Sequence, residues 1–393
     1  MEATNRLNTN GSRTERDPIL DGPEPARDSE APEPPRNSAA VNAHQSRWRI
    51  PGDVIARTCK DLTEEQRHAI NWAHSYCRSK NLSHEDLAKQ LRKSPDSEET
   101  YSGDSVYQTF TGRRDNVAPL CQAIHVLRRR VEETCARAGV AFVETSLSKK
   151  IFAHCRRTFN RKAITFILGA TRIGKTRTLE EYARQHNHGE TKMIRLPSGG
   201  SIRVFLVECA IVLGISTQCK SFELRRRIFE CFDERTLLIV DECEEGMVNQ
   251  EILNFIRELW DRRKCGVVFS GAMNLRDAPR SSYNMKKLCE RGIRPLILPS
   301  VPPAGDLDKF AEAFGLTPAP NVEKRFKFRD EDGVEESLKG NPQEIQNKVI
   351  RDHSLGRWLA ILEDAADTAK ESQSHISWNR VIVAYELFSK GGM

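Results

Sequence analysis

The chain has 393 residues, 38% of them hydrophobic and 30% charged, with a formal net charge of +6; it is too long for one compact core and lean enough in apolar residues that part of it is expected as solvated tail. No apolar run approaches the ~20 residues that cross a bilayer, and residues 1–50 carry no apolar segment of the secretory kind, so a cytoplasmic protein without a membrane partner is expected. Eleven cysteines are scattered from Cys59 to Cys289 with no pair at CxxC spacing, which excludes a zinc ribbon and argues for reduced thiols rather than a disulfide framework.

Residues 1–55 read as a disordered tail: a stretch such as PEPARDSEAPEPPRNSAA cannot bury enough apolar surface to offset its ordering entropy. Residues 56–140 read as a helical domain. Thr63 caps a first helix carrying Ile70, Trp72, Ala73 and Tyr76, and Ser83 with Asp86 caps a second carrying Leu87, Ala88 and Leu91. A polar insertion, SPDSEETYSG, separates these from a short third helix from about Asp104 to Gly112. A fourth, Val117 to Arg137, aligns Leu120, Ile124, Leu127 and Val131 on one face. The pair LSHEDLAKQL and SGDSVYQTFTGRR resembles the second and third helices of phage-repressor-type helix-turn-helix domains. That likeness implies double-stranded DNA as partner, with Ser105 and Gln108 reaching base edges and Arg113 and Arg114 meeting phosphates. The same spacing also suits a bundle that docks a protein. Trp72, Tyr76 and Phe110 are read as core. From Asn116 to Lys162, ten basic residues stand against three acidic ones, a concentration that suits a polyanion or a solvated helix face.

The nucleotide signature begins at Ala163. The run AITFILG reads as a buried strand and leads into Gly169, Ala170, Thr171, Arg172, Ile173, Gly174, Lys175 and Thr176, followed by Arg177 and a helix. This is GxxxxGKT in strand-loop-helix context. Backbone N–H groups of such a loop curl around phosphates at a helix N-terminus, the lysine bridges the β and γ phosphates, and the threonine hydroxyl suits Mg²⁺, so ATP and Mg²⁺ are the expected cofactors. The run LLIVDE delivers Asp241, to orient Mg²⁺, and Glu242, to polarise the attacking water. Cys243, Glu244 and Glu245 are read as surface residues. The strand GVVFSGAMN offers Ser270 or Asn274 as a polar sensor of the γ phosphate, with Asn274 favoured, and RPLILPS reads as another strand. Beyond it, RFKFRDEDGVEESL, within 322–338, reads as a β-hairpin turning at Asp332-Gly333. Helices AGDLDKFAEAFGL, SLGRWLAILEDAADTAKE and ISWNRVIVAYELF complete a lid.

This order of features, over roughly residues 60–390, resembles the AAA+ ATPases that regulate DNA transposition. The resemblance implies an α/β fold: a P-loop core at 141–300 with a parallel sheet in order 5-1-4-3-2, a helical lid with hairpin insertion at 301–393, and the all-α helix-turn-helix domain at 56–140. It further implies ATP hydrolysis, Arg291 or Arg294 as an arginine finger lent to a neighbouring subunit, Arg357 as a second sensor, a homo-oligomer on target DNA, and a transposase as partner. Two other readings share the core: a nucleotide-switched helix-turn-helix transcriptional regulator, and a signalling or secretion ATPase with a protein-docking N-terminal domain.

Overall fold

A computed structural model describes residues 47–94, 98–137, 142–187, 189–196, 201–244, 249–276, 283–290, 292–329 and 335–390. Its centre is a five-stranded parallel sheet of β1 (Ile164–Leu168), β2 (Thr191–Arg195), β3 (Leu237–Asp241), β4 (Gly266–Gly271) and β5 (Leu296–Ile297). The spatial order is β2-β3-β4-β1-β5, which is the expected 5-1-4-3-2. Alternation along the strands builds two cores. Ile164, Phe166, Leu238, Val240, Val267 and Phe269 face one side, while Ile167, Leu237, Ile239 and Val268 face the other. Burial on both faces is why β1, β3 and β4 are continuous apolar runs. The first face is covered by helices α8 (Ile202–Leu213), α9 (Ser221–Glu230) and α10 (Gln250–Arg263), and the second by α6 (Ser146–Arg161) and α7 (Lys175–Gln185). A helix α11 (Tyr283–Glu290) precedes β5.

The N-terminal bundle holds α1 (Gly52–Thr58), α2 (Glu64–Ser79), α3 (His84–Gln90), α4 (Gly103–Phe110) and α5 (Ala118–Arg137). Capping boxes at Thr63 and Ser83 start α2 and α3, as the sequence predicts. Trp72 and Phe110 are buried, with Tyr76 stacked on Trp72, so these aromatics are core. One boundary needs correction: the bundle begins before residue 56. Trp48 and Ile50 are buried in its core, and α1 packs with them. The polar composition of the preceding tail hides two apolar anchors spaced to reach the bundle. Residues 1–46 lie outside the described residues.

Long-range polar ties hold the bundle to the sheet core. Arg227 of α9 grips Asp53 of α1 in a bidentate pair at 2.8 and 3.1 Å, with Asp53 only 4% exposed. Arg78 of α2 donates to the carbonyls of Val212 and Ile211 at the C-terminal end of α8. Gly52 donates to the Gly214 carbonyl, and any side chain there would collide with the Leu213 carbonyl oxygen at 1.8 Å. The lid comprises α12 (Ala304–Ala313), a hairpin of β6 (Lys324–Arg329) and β7 (Glu335–Gly340), α13 (Pro342–Asp352), α14 (Leu355–Glu371) and α15 (Trp378–Lys390) around Trp358. The hairpin forms as expected; its turn, with Asp332-Gly333, lies outside the described residues. Asp306 of α12 is 3% exposed and ties lid to core, accepting from the Ser146 N–H at 2.6 Å, the Ser146 hydroxyl at 2.7 Å and the Leu147 N–H at 3.3 Å. The ten described cysteines are free thiols.

Removing one member of a buried ion pair leaves the other charge uncompensated. Asp53→Ala is therefore expected to lower the unfolding free energy by about 3–5 kcal/mol in urea titrations, and Asp53→Ala/Arg227→Met to recover most of that loss. A double variant destabilised by the sum of the two single ones would show that the pair does not hold the docking.

Candidate nucleotide-binding site

The sheet order creates the site. Because β4 lies between β1 and β3, the loop after β1 and the carboxylates after β3 are separated by one strand, whose end carries Ser270. The loop from Gly169 to Gly174 turns β1 into α7. Gly174 has φ +95°, a conformation costly for any other residue, and a side chain at Gly169 would press on Leu298 at 3.0 Å. Arg172 takes φ +58° without being glycine. Thr171, Arg172 and Arg177 are exposed, Ala170 is partly so, and Ile173 is buried.

Lys175, the first residue of α7, is 9% exposed. Its ammonium donates to the Gly169 and Ala170 carbonyls, each at 2.8 Å. Burial pulls its pKa down, while Glu244 and Asp241 nearby hold it up. The Thr176 hydroxyl donates to Asp241 Oδ2 at 2.7 Å, and Asp241 is 1% exposed at the end of β3. The structure thus brings Lys175, Thr176 and Asp241 together at one sheet edge. A hydroxyl and a carboxylate side by side are hard oxygen donors, the set that suits Mg²⁺.

The residues after Asp241 differ from the surface loop expected. Cys243 is fully buried; its N–H donates to the Ser270 carbonyl at 3.0 Å and its thiol to the Val240 carbonyl. Burial, reinforced by the Asp241 charge, pushes that thiol's pKa far up, so it is inert. Glu244 is partly buried and accepts the Ala272 N–H at 3.1 Å. The cause is the parallel pairing of β3 with β4, which draws the loop after β3 along the end of its neighbour. Glu245 lies outside the described residues. Glu242 itself is exposed at φ +56°, a left-handed conformation that costs of order 1–3 kcal/mol and aims the side chain out of the strand's line. Ser270 is fully buried and its hydroxyl has no hydrogen-bond partner among the described residues. Asn274 is exposed in the 3-10 turn Met273–Arg276.

Arg294 is exposed in the segment leading to β5, and Arg291 lies outside the described residues. Arg357 sits in the first turn of α14, beside the loop, but its guanidinium stacks on the Phe388 ring at 3.9 Å. Next to the loop lies a feature the sequence does not reveal, a cavity of about 280 Å³ between the loop, the start of α6 and the lid. Val143, Leu147, Ile173, Phe310, Leu355 and Leu359 make its wall largely apolar, as a planar base requires. In the bundle, Ser105 and Gln108 are partly exposed on α4, where the Gln108 amide donates to Asp104 at 2.8 Å. Arg113 is exposed and lies over the Tyr107 ring, and Arg114 follows it. The connection from α3 to α4 spans residues 91–102 and includes an antiparallel bridge between Arg92 and Thr100, well beyond a tight turn.

Residues 156–278 match a family model described as an AAA domain. This part of the chain is similar to AAA domains. With its sheet order, the core has the fold of an AAA+ P-loop domain, and its sequence is similar to those of transposition proteins. The chain is 31% identical over 136 residues to the ATP-dependent target DNA activator B of Escherichia phage Mu, covering 33% of this chain and 41% of that protein. It is 29% identical over 133 residues to the Mu-like prophage FluMu DNA transposition protein B of Haemophilus influenzae, covering 33% and 45%. The matched stretch thus spans less than half the length of these relatives. The Aeropyrum pernix ORC2 protein is a distant structural likeness (15% identity, TM-score 0.42, 60% of this chain and 66% of that one). Among the described residues, no helix is long and apolar enough to cross a membrane.

If the apolar cavity beside the loop takes the base, a carboxylate placed in it must weaken binding. Leu359→Glu is expected to lower ATP affinity by roughly tenfold or more in calorimetric titration, with the unfolding midpoint little changed. Unaltered affinity would place the base elsewhere.

Proposed function

We propose that this chain is an ATP-dependent DNA-binding ATPase that assembles on double-stranded DNA, directs a transposase to it, and is reset by hydrolysis. The observation that carries this reading is the convergence of Lys175, Thr176 and Asp241 at one sheet edge beside an apolar cavity, within a domain similar to target DNA activator proteins.

In this reading the backbone N–H groups of 169–175 wrap the phosphates, and Lys175 exchanges its two carbonyls for β and γ phosphate oxygens. Thr176 and Asp241 would hold Mg²⁺, which supplies charge neutralisation on the phosphates. Glu242 polarises the attacking water, and its outward backbone conformation frees it from the strand to do so. Glu244 fixes the end of β4 through Ala272, which holds the following turn with Asn274, the exposed candidate sensor; Ser270 lies inside it. Arg294, presented to solvent ahead of β5, with Arg291 near it in the chain, serves a neighbouring subunit's nucleotide. Arg357 leaves Phe388 to act as second sensor when the lid closes.

The DNA-binding part of the proposal rests on charge and placement. The exposed side of α6 carries Lys149, Lys150, Arg156, Arg157 and Arg161, a stripe that gives sequence-independent, salt-sensitive affinity. On α4, Ser105 and Gln108 supply base contacts once Gln108 gives up Asp104, and Arg113 and Arg114 supply phosphate contacts.

The test is a variant series in the full chain. Lys175→Ala should lose ATP binding, while Glu242→Gln should bind ATP and hydrolyse it at least ~100-fold more slowly. Wild-type turnover by Glu242→Gln together with an inactive Glu244→Gln would move the base to Glu244. On duplex DNA, Arg113→Ala/Arg114→Ala should weaken binding to all sequences and reduce the salt slope by roughly 0.9 per lost contact, whereas Ser105→Ala/Gln108→Ala should change sequence preference. Unaltered DNA binding in both would leave the bundle as a protein-docking module.

A further inference from the structure

A second cavity, polar and of about 90 Å³, lies at the seam between bundle and core and shares no lining residue with the apolar one. Its cations come from both modules: Arg67 and Lys60 from the bundle side, Lys192 of β2 and Arg263 of α10 from the core. None of these four side chains has a hydrogen-bond or ion-pair partner among the described residues. The acids at the rim are already engaged. Asp233 is gripped by Arg235 at 2.9 Å, Glu190 faces His68 at 3.5 Å, and Glu230 faces Arg57 at 4.0 Å. Two thiols, Cys59 and Cys231, also line the cavity, but burial pushes both up to about 12, so they supply no negative charge. Lys192 is left as a largely enclosed ammonium facing no free anion, and burial pulls its pKa down. An enclosed, uncompensated charge of this kind is costly unless a counter-ion arrives.

His74 specifies that counter-ion further. It lines the same cavity, is 5% exposed, and its Nε2 has no hydrogen-bond partner among the described residues. Among the cationic donors of this cavity, the neutral tautomer that carries its proton on Nδ1 and presents a lone pair at Nε2 is the favoured one. Burial first, then the charges of Arg78 and Lys192, keep the imidazole neutral. The site therefore offers several cationic donors and one buried acceptor. A fully ionised oxyanion such as sulfate, or a phosphodiester, satisfies the donors but leaves the acceptor empty. An anion that retains a hydroxyl satisfies both.

We propose that this seam binds a protonated phosphate, either orthophosphate or a phosphate monoester, with Lys192 and Arg67 on its anionic oxygens and His74 Nε2 accepting from its P–OH. Bound there, the anion neutralises charge from both modules at once and strengthens the docking of the bundle on the core.

The experiment uses the full chain carrying Lys175→Ala, which removes the phosphate loop's own affinity. Equilibrium dialysis with labelled orthophosphate near pH 7 should find one site per chain, and thermal unfolding at matched ionic strength should shift up with phosphate more than with sulfate. Adding Lys192→Met should lower phosphate affinity at least about tenfold and erase the excess shift. Arg67→Gln, at the rim and harmless to the core, should weaken it as well. Competition by phenyl phosphate separates the two sources: displacement assigns a monoester, and failure to displace assigns orthophosphate. No bound phosphate, sulfate binding equal to phosphate, displacement by duplex DNA, or affinity indifferent to both Lys192→Met and Arg67→Gln would each overturn the proposal.

Discussion

A lysine ammonium enclosed at the carboxyl end of a parallel sheet, with only two backbone carbonyls to receive it, is the constraint around which the core is arranged. Lys175 is held there because α7 starts directly after Gly174, and Glu244 and Asp241 lie close enough to oppose the downward pull of burial on its pKa. Those carboxylates are in range only because β4 separates β1 from β3 by a single strand, with Cys243 and Glu244 pinned to its end. An anionic ligand at this edge meets donors that are already oriented, so little reorganisation remains for the moment of reaction.

The same economy joins the three modules. The bundle meets the core through Asp53 with Arg227 and through Arg78 on the exposed carbonyls of α8, and the lid meets it through Asp306 on the N-terminus of α6. Each tie engages a buried charge or a helix end, which makes the ties specific in orientation even where their net contribution to stability is small. The lid tie also stands at the rim of the apolar cavity. Arg357, over the Phe388 ring, belongs to the same lid.

Much of this was legible in the chain. Strands buried on both faces must be apolar throughout, so β1, β3 and β4 stood out, and the capping residues Thr63 and Ser83 marked helix starts because their hydrogen bonds are local. The edge strand β2 was not legible: TKMIR buries only Thr191 and Ile194 fully, and three polar residues in five give no strand signal. Helix α13 was missed although Asn341-Pro342 is an N-cap followed by a first-turn proline, a signal that was available. Glu244 was misread because nothing near it in sequence reveals that Ala272, 28 residues later, donates to it. Asp53, Asp306 and the wall of the apolar cavity share that difficulty, since their meaning lies wholly in partners brought by the fold. The early anchors Trp48 and Ile50 were obscured by the polar tail before them.

In the proposed function, nucleotide hydrolysis is completed between copies of the chain on DNA. The direct measurement is ATP turnover per chain as a function of protein concentration, with and without duplex DNA, for wild type and Arg294→Ala. The rate per chain should rise with concentration, rise further with DNA, and lose this rise in the arginine variant if Arg294 is the finger, since a transition-state charge contact from a neighbour forms only after assembly. A wild-type rate that is flat with concentration and indifferent to DNA would contradict the account and leave an ATPase that works alone.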